Sequence, residues 1–378
     1  MSSATTIRPF QRNNQADVEA VVKLGLIAVP TNGFKIVCGK KEISNKSYFD
    51  KYSIFVAECD GKIVGSIGAN IRSVLFEVPD RFEKVSWLSK LRIDPKHRRG
   101  GLAIKLVKKM EDFLASKGVS IIFGGIYSSN IPSIRLFTEH LQYTSIFEPG
   151  LAVCGINVKH NTSNVCVRER LIGFDTILMD VDESQIFLRC NFGGSFLLPS
   201  SKFPVDCNVY QVRNRSGESL SVAVTLANVP WTFSGASLLM KLDNARREAL
   251  SWLLPWYYEK PVPFDEPVFV RHAFPFKSTA TTLGNFNVLL EVLFSFLCLD
   301  MAEKGVDVVR IHHDTRISGL SEKEFEVFNA SKFISPRLFL GDSVTRIVKV
   351  VGKSDDEAKE MYKTLLKQSF WFTDANEL

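Results

Sequence analysis

Apolar and polar positions along the chain change period several times, and each change marks an element. Between residues 102 and 114 the apolar positions fall at Leu102, Leu106, Met110 and Leu114, with Ile104, Val107 and Phe113 alongside. That spacing predicts an amphipathic helix. It is preceded by an apolar strand end (Leu91, Ile93), Pro95 and a basic, glycine-rich turn. Lys117-Gly118 ends the helix with a glycine C-cap, and Val119–Phe123 reads as a buried strand. Upstream, Thr6–Lys23 reads as a strand feeding a helix, and Phe55–Ile67 as a hairpin turning on Asp60-Gly61. Asn130–Tyr143 carries another helix and its exit turn. Helix and strand alternate throughout, which predicts an α/β domain with a mixed sheet over residues 1–155.

The second half echoes the first. Met110–Phe123 and Leu297–Arg310 both run helix, Lys-Gly-Val, then apolar strand. Ser321 and Glu324 form a capping box for a helix reaching Phe328, and Lys332–Pro336, Leu338–Leu340 and Val344–Val351 supply closing strands. The repeated order predicts an internal duplication, with a second domain over residues 165–378. Val288–Leu299, the longest apolar run, contains Glu291 and is too short to span a bilayer, so it reads as a core helix and no membrane partner is expected.

The turn before the 102–114 helix carries the chemistry. A helix start presents unpaired N–H groups and partial positive charge, which attract phosphates. Gly100 and Gly101 let the backbone approach an anion, Ala103 does not block it, and Arg98, Arg99 and Lys105 add charge. A diphosphate-bearing ligand is the expectation. Neither G-x-x-x-x-G-K-[ST] nor G-x-G-x-x-G is present, so the common ATP and dinucleotide loops are excluded. Aligning Gly118 with Gly305 puts the second copy's turn near Ala280–Asn287, with one glycine and no arginine, so that copy is read as degenerate, structural or substrate-shaping.

The net charge of +6 is concentrated here, where Arg92, Lys96, Arg98, Arg99, Lys105, Lys108 and Lys109 face only Asp94. A solvated helix face is the plain alternative, but the glycines lie inside the cluster. No aromatics interleave with it, so nucleic acid is not the expected partner. Seven scattered cysteines without C-x-x-C spacing, after a start with no charged-then-apolar leader, predict a reduced protein of cytosol or nucleus. Six histidines show no ligand spacing, so no metal is expected.

Ile93, Pro95, Arg98, Gly101 and Ala103 fill the pattern apolar-x-Pro-x-x-[RQ]-x-x-G-x-[GA], which resembles the coenzyme A loop of the GNAT acyltransferases. Asn130, Ser133, Leu136-Phe137 and Tyr143 resemble that family's next helix and turn, and the likeness covers roughly residues 5–150. With a degenerate second copy, the chain is similar to the plant hookless-type N-acetyltransferases. His97–Gly100, Lys105–Glu111 and the terminal Trp371–Asp374 add to this likeness.

The resemblance implies a GNAT fold in tandem, acetyl-CoA as co-substrate, and acetyl transfer to an amine by direct attack in a ternary complex. The amine would be a protein lysine, a chain N-terminus or a small molecule. Coenzyme contacts fall on Leu91, Arg92, Ile93, Arg98, Arg99, Gly100, Gly101, Leu102 and Ala103, with a backbone N–H near Arg92 or Ile93 polarising the thioester. Asn130 either reaches the coenzyme arm or caps its helix. The family's glutamate base is absent from Ser86–Ile93. Glu83, Glu77 or a water chain would serve, unless both carboxylates belong to exposed loops. Phe137 stands where relatives have a tyrosine acid, so that role is empty or passes to Tyr127 or Tyr143, the latter otherwise a packing residue. Acceptor contacts are expected from loops at Phe34–Tyr52 and Ile71–Trp87. The missing groups keep open a catalytically weak, acyl-CoA-binding regulatory protein.

Overall fold

One strand order is built twice in the computed structural model of this chain. It describes residues 5–26, 35–38, 53–77, 80–127, 130–147, 151–158, 161, 166–192, 198–199, 207–226, 229–234, 238–253, 261, 263, 266–314, 320–335 and 344–367. The first sheet runs β1 (Thr5–Pro9), β3 (Ser53–Cys59), β4 (Lys62–Glu77), β5 (Asp80–Ile93), β6 (Ile121–Tyr127), β17 (Val344–Val350), β7 (Thr144–Phe147). The second runs β9 (Asp175–Met179), β11 (Cys207–Arg213), β12 (Ser219–Thr225), β14 (Pro267–Ser278), β15 (Val308–Asp314), β8 (Leu151–Asn157), β16 (Ile334–Ser335). Along both paths neighbours are antiparallel except at the fourth and fifth positions, where β5–β6 and β14–β15 are parallel.

The sixth position in each sheet is filled by the other half of the chain. Val344–Val351, expected to close the second half, instead lies between β6 and β7 of the first sheet. In return β8, from the end of the first half, lies between β15 and β16. The divide between residues 155 and 165 therefore does not separate the two sheets. An apolar run announces a strand without saying which edge it will pair with, so periodicity alone assigned both strands to their neighbours in sequence. Two shorter strands cross as well: β2 (Lys35–Cys38) pairs with β13 (Val229–Ser234), which runs beside β14, and β10 (Leu198–Pro199) pairs with β4.

The helices, in chain order, are α1 (Gln15–Leu26), α2 (Leu102–Ser116), α3 (Ile131–Arg135, continued by a wider turn at Leu136–His140), α4 (Cys166–Glu169), α5 (Val181–Phe192), α6 (Leu238–Leu253), α7 (Leu283–Glu303), α8 (Glu322–Asn329) and α9 (Asp355–Lys367). The α2 stripe Leu102, Leu106, Val107, Met110 and Leu114 is buried against Phe55, Ala57, Ile67, Leu88 and Ile122. Each such side chain contributes about 1.5–3 kcal/mol. On the opposite face α1 packs Val18 and Val21 on Ile54 and Val56, and α9 packs Met361 and Leu365 on Val85, Trp87, Ile121 and Phe123.

In the second half α7 is long and apolar enough to cross a bilayer by composition. Its buried apolar side chains, from Phe286 to Met301, are instead packed on Tyr210, Val222, Phe276, Val309 and Ile311 of the second sheet. Both α2 and α7 end in the same glycine cap. Gly118 has φ +75° and Gly305 φ +68°, and Val119 N and Val306 N bond back to Leu114 O and Met301 O. The repeated Lys-Gly-Val is thus a repeated helix stop.

Candidate active site

The site begins where β5 and β6 separate. They pair only over Val85–Leu88 with Ile121–Gly124, although β5 continues to Ile93 and β6 to Tyr127. Ser89–Ile93 therefore presents backbone N–H and C=O groups to a gap rather than to a strand. On the other edge of β5, Ser66 pairs with Arg92 and Gly68 with Ser89, so three steps on β5 oppose two on β4. This is a β-bulge. Lys90 within it has φ +57°, a strained conformation for a residue with a side chain, and its carbonyl accepts a bond from Ser66 Oγ at 3.3 Å. Leu91 and Ile93 pack back toward α2. Across from them a Cβ on Gly65 would lie 2.9 Å from Ile93 Cδ1 and 3.0 Å from Leu106 Cδ1, so this glycine permits the close approach.

The turn follows directly. Asp94 N donates to Val64 O at 2.8 Å, Asp94 Oδ1 accepts from Lys96 N at 2.9 Å, and Pro95–His97 make one tight helical turn. Arg98 Nε donates to Ile93 O at 3.1 Å, tying the turn to the strand end. Arg99 and Gly101 have φ +65° and +74°. Gly101 caps α2 with no side-chain acceptor, so the first-turn N–H groups have no partner within the helix. A Cβ added at Gly100 or Gly101 would meet nothing within 4 Å. Arg98, Arg99 and Lys105 are exposed around this concavity. Backbone donors, positive charge and open space converge on the same spot, the arrangement that holds a phosphate.

Leu91, Arg92, Ile93, Arg98, Arg99, Gly100, Gly101, Leu102 and Ala103 thus form one continuous strand end, turn and first helical turn. Leu102 is buried in the core beneath α2, so its side chain serves packing. Asn130 caps α3, its Oδ1 accepting from Ser133 N at 3.3 Å.

The candidate base is elsewhere. Glu83 lies ten residues before Ile93 on an extended strand, roughly 33 Å away. There it accepts from Ser120 Oγ at 2.5 Å and pairs with Lys353 Nζ at 3.7 Å. It belongs to the closed end of the sheet, and Glu77, opposite Asp80 at the hairpin end, is farther still. The reason is that residues 71–77 and 80–87, expected as part of a loop, are paired strand in β4 and β5.

Tyr143 is 3% exposed, edge-on to Phe137 with ring centroids 5.0 Å apart, and Lys349 Nζ lies 5.3 Å over its ring. Burial first, then the nearby Glu111 charge, push its hydroxyl well above the usual tyrosine value. Its ring is part of the buried core beneath α2, which is the place of a packing residue. Tyr127 ends β6, and its side chain lies outside the described residues, as does most of Phe34–Tyr52. Lys90, Gly65 and the place of β17 in the first sheet were missed from sequence. A glycine inside the strand Lys62–Ile67 was the one available signal.

Residues 34–143 match the acetyltransferase (GNAT) family, and the first half of this chain carries a GNAT domain. Among curated proteins, the probable N-acetyltransferase HLS1-like of Arabidopsis thaliana is 33% identical over 72 residues, 19% of this chain and 17% of that protein. The acetyl transferase GW6a of Oryza sativa subsp. japonica is 34% identical over 92 residues, 23% of this chain and 22% of its own length. This chain spans about a fifth of the length of the curated relatives it matches. A solved tandem GNAT protein from the clavulanic acid biosynthesis pathway covers 93% of this chain and all of its own, with TM-score 0.50 and 12% identity. Saccharomyces cerevisiae N-myristoyltransferase with bound myristoyl-CoA covers 92% of this chain and 83% of its own, also at TM-score 0.50 and 12% identity. At such identities the likeness is one of fold: a GNAT fold in tandem.

Proposed function

We propose that this protein is an acetyl-CoA-dependent N-acetyltransferase of cytosol or nucleus, with one coenzyme site at the start of α2. The observation that carries the reading is the splay of β5 from β6, leading through a bulge into the uncapped glycine turn Arg98–Ala103. In this reading the turn holds the pyrophosphate, with Arg98 and Arg99 as counter-charges. The pantetheine arm runs along Leu91–Ile93 like an added strand, and Asn130 keeps its capping role. The thioester carbonyl accepts a bond from a backbone N–H near Arg92 or Ile93, which stabilises the oxyanion as the amine nitrogen attacks. The nitrogen–carbon bond forms, the carbon–sulfur bond breaks, the coenzyme leaves as thiolate, and the amine proton departs through water. Glu83 and Tyr143 take no part in proton transfer.

That last point favours a second reading, a regulatory protein that binds acyl-CoA and transfers slowly. Thiol release from acetyl-CoA, followed in the presence of an α-amino peptide, a lysine peptide and a polyamine, separates the two. Transfer predicts amine-dependent release with a matching mass gain on one acceptor. Binding without release on every acceptor would leave the regulatory reading.

A further inference from the structure

The start of α7, the second repeat's counterpart of α2, is already occupied. Thr279 N bonds to Ser219 O at 2.9 Å as Asp94 N bonds to Val64 O at 2.8 Å, so Glu218 stands where the first repeat has Ile63. The connection from strand to helix cap is residues 279–281 in the second repeat and 94–100 in the first, and the glycine turn is what the shorter connection lacks. In its place Thr282 caps α7, its hydroxyl accepting from Asn285 N at 3.1 Å.

Thr281, like Gly100, precedes the cap by one residue, and its N–H donates to Glu218 Oε1 at 2.8 Å. Thr281 Oγ1 donates to the same oxygen. Glu218 Oε2 accepts from Asn285 Nδ2 at 2.7 Å, Asn214 Nδ2 at 2.8 Å and Ser216 Oγ at 3.3 Å. The residue is 9% exposed, and these donors, the Thr281 hydroxyl first, hold its carboxyl down to about 2. Five donors on two oxygens at a helix start is the coordination an anionic ligand would receive.

We propose that Glu218 is a resident anion, its carboxylate filling in the second repeat the place that the first repeat offers to pyrophosphate. The second turn is thereby closed to coenzyme, and the chain binds one acetyl-CoA. The comparison with the first turn rests on the function proposed above; the role of Glu218 does not.

The test is anion rescue in the full-length protein. At pH 7, Glu218→Ala is expected to lower the melting midpoint by about 5 °C. About 10 mM inorganic phosphate, against sodium chloride of equal ionic strength, is expected to restore at least half of that loss. The wild-type protein, in which only the first turn is open to phosphate, should gain less from it than the variant. A destabilised Glu218→Ala that phosphate restores no better than chloride would overturn the proposal. If the alanine variant fails to fold, Glu218→Gln keeps the size and removes the charge. The depressed carboxyl stabilises the fold above its ordinary value of 4.5 and loses that contribution as pH falls toward 2. The gap between Glu218→Gln and wild type should therefore narrow from pH 7 to pH 3, and a constant gap would also overturn the proposal. So would calorimetry showing two acetyl-CoA per chain. Rescue by phosphate in a protein that binds no acetyl-CoA would refute the proposed function and leave Glu218's role standing.

Discussion

Gly100 and Gly101 are neighbours with different tasks. Gly101 has φ +74°, so a side chain there is strained whatever surrounds it, by about 1–2 kcal/mol. Gly100 has no such requirement and faces open space. Gly101→Ala is therefore expected to lower stability by that amount in urea titration, while Gly100→Ala stays within about 0.5 kcal/mol of wild type. Arg8 and Asp17 show the opposite economy, side chains spent wholly on the fold. Arg8 donates to both Asp17 oxygens, at 2.7 and 2.9 Å, and to Glu58 at 2.6 Å. The Arg8 bonds hold the buried Asp17 carboxyl below its usual 3.8. A depressed carboxyl stabilises above its ordinary value and loses that contribution as pH falls below it. Asp17→Asn is expected to cost about 2 kcal/mol at pH 7. The difference from wild type should shrink when the urea titration is repeated at pH 3.

At the scale of elements, the exchanged strand β17 is fastened as firmly as any local one. Lys349 pairs with Glu111 of α2 at 3.1 Å, the two side chains 22% and 13% exposed. Lys353 pairs with Glu83, Val351 N bonds to Ser120 O, and Val350 N donates to Tyr362 Oη at 3.0 Å. Lys349→Ala leaves the Glu111 carboxylate poorly solvated and unpaired, so a loss of about 3 kcal/mol is expected. Glu111→Ala in the same chain should return part of it, and a double-mutant cycle in urea reads the coupling. Strand and helix identities were legible here because period, caps and the Lys-Gly-Val stop are local. The partner of Val344–Val350 was not, because pairing depends on which sheet has an open edge once everything else has folded. Glu83 was misplaced for a related reason: its distance from the turn depends on β5 beginning at Asp80, and no local signal in Ile71–Trp87 announced that long hairpin.

For the whole molecule, the exchange makes two repeats into one folding unit. A fragment of residues 1–165 lacks β17 and α9, leaving β6 and β7 with open edges and Trp87 and Phe123 without Met361 and Leu365 over them. It is expected to show no cooperative thermal transition by circular dichroism. A monomeric fragment with a sharp melt would contradict that expectation. The geometry of the Arg98–Ala103 turn was readable residue by residue, since glycines, a proline and arginines at fixed spacing are its whole construction. Proton transfer was not readable, because under the proposed mechanism an oxyanion donor on the backbone and a proton route through water would leave no side-chain trace.

The central claim is that the Arg98–Ala103 turn binds acetyl-CoA, and calorimetric titration of acetyl-CoA into wild type and Gly100→Glu tests it most directly. The account predicts one site per chain in wild type. It predicts no detectable heat in the variant, whose melting midpoint should stay within about 2 °C of wild type because the new side chain enters open space. Absence of binding to wild type, or equal binding by a folded Gly100→Glu, would contradict it.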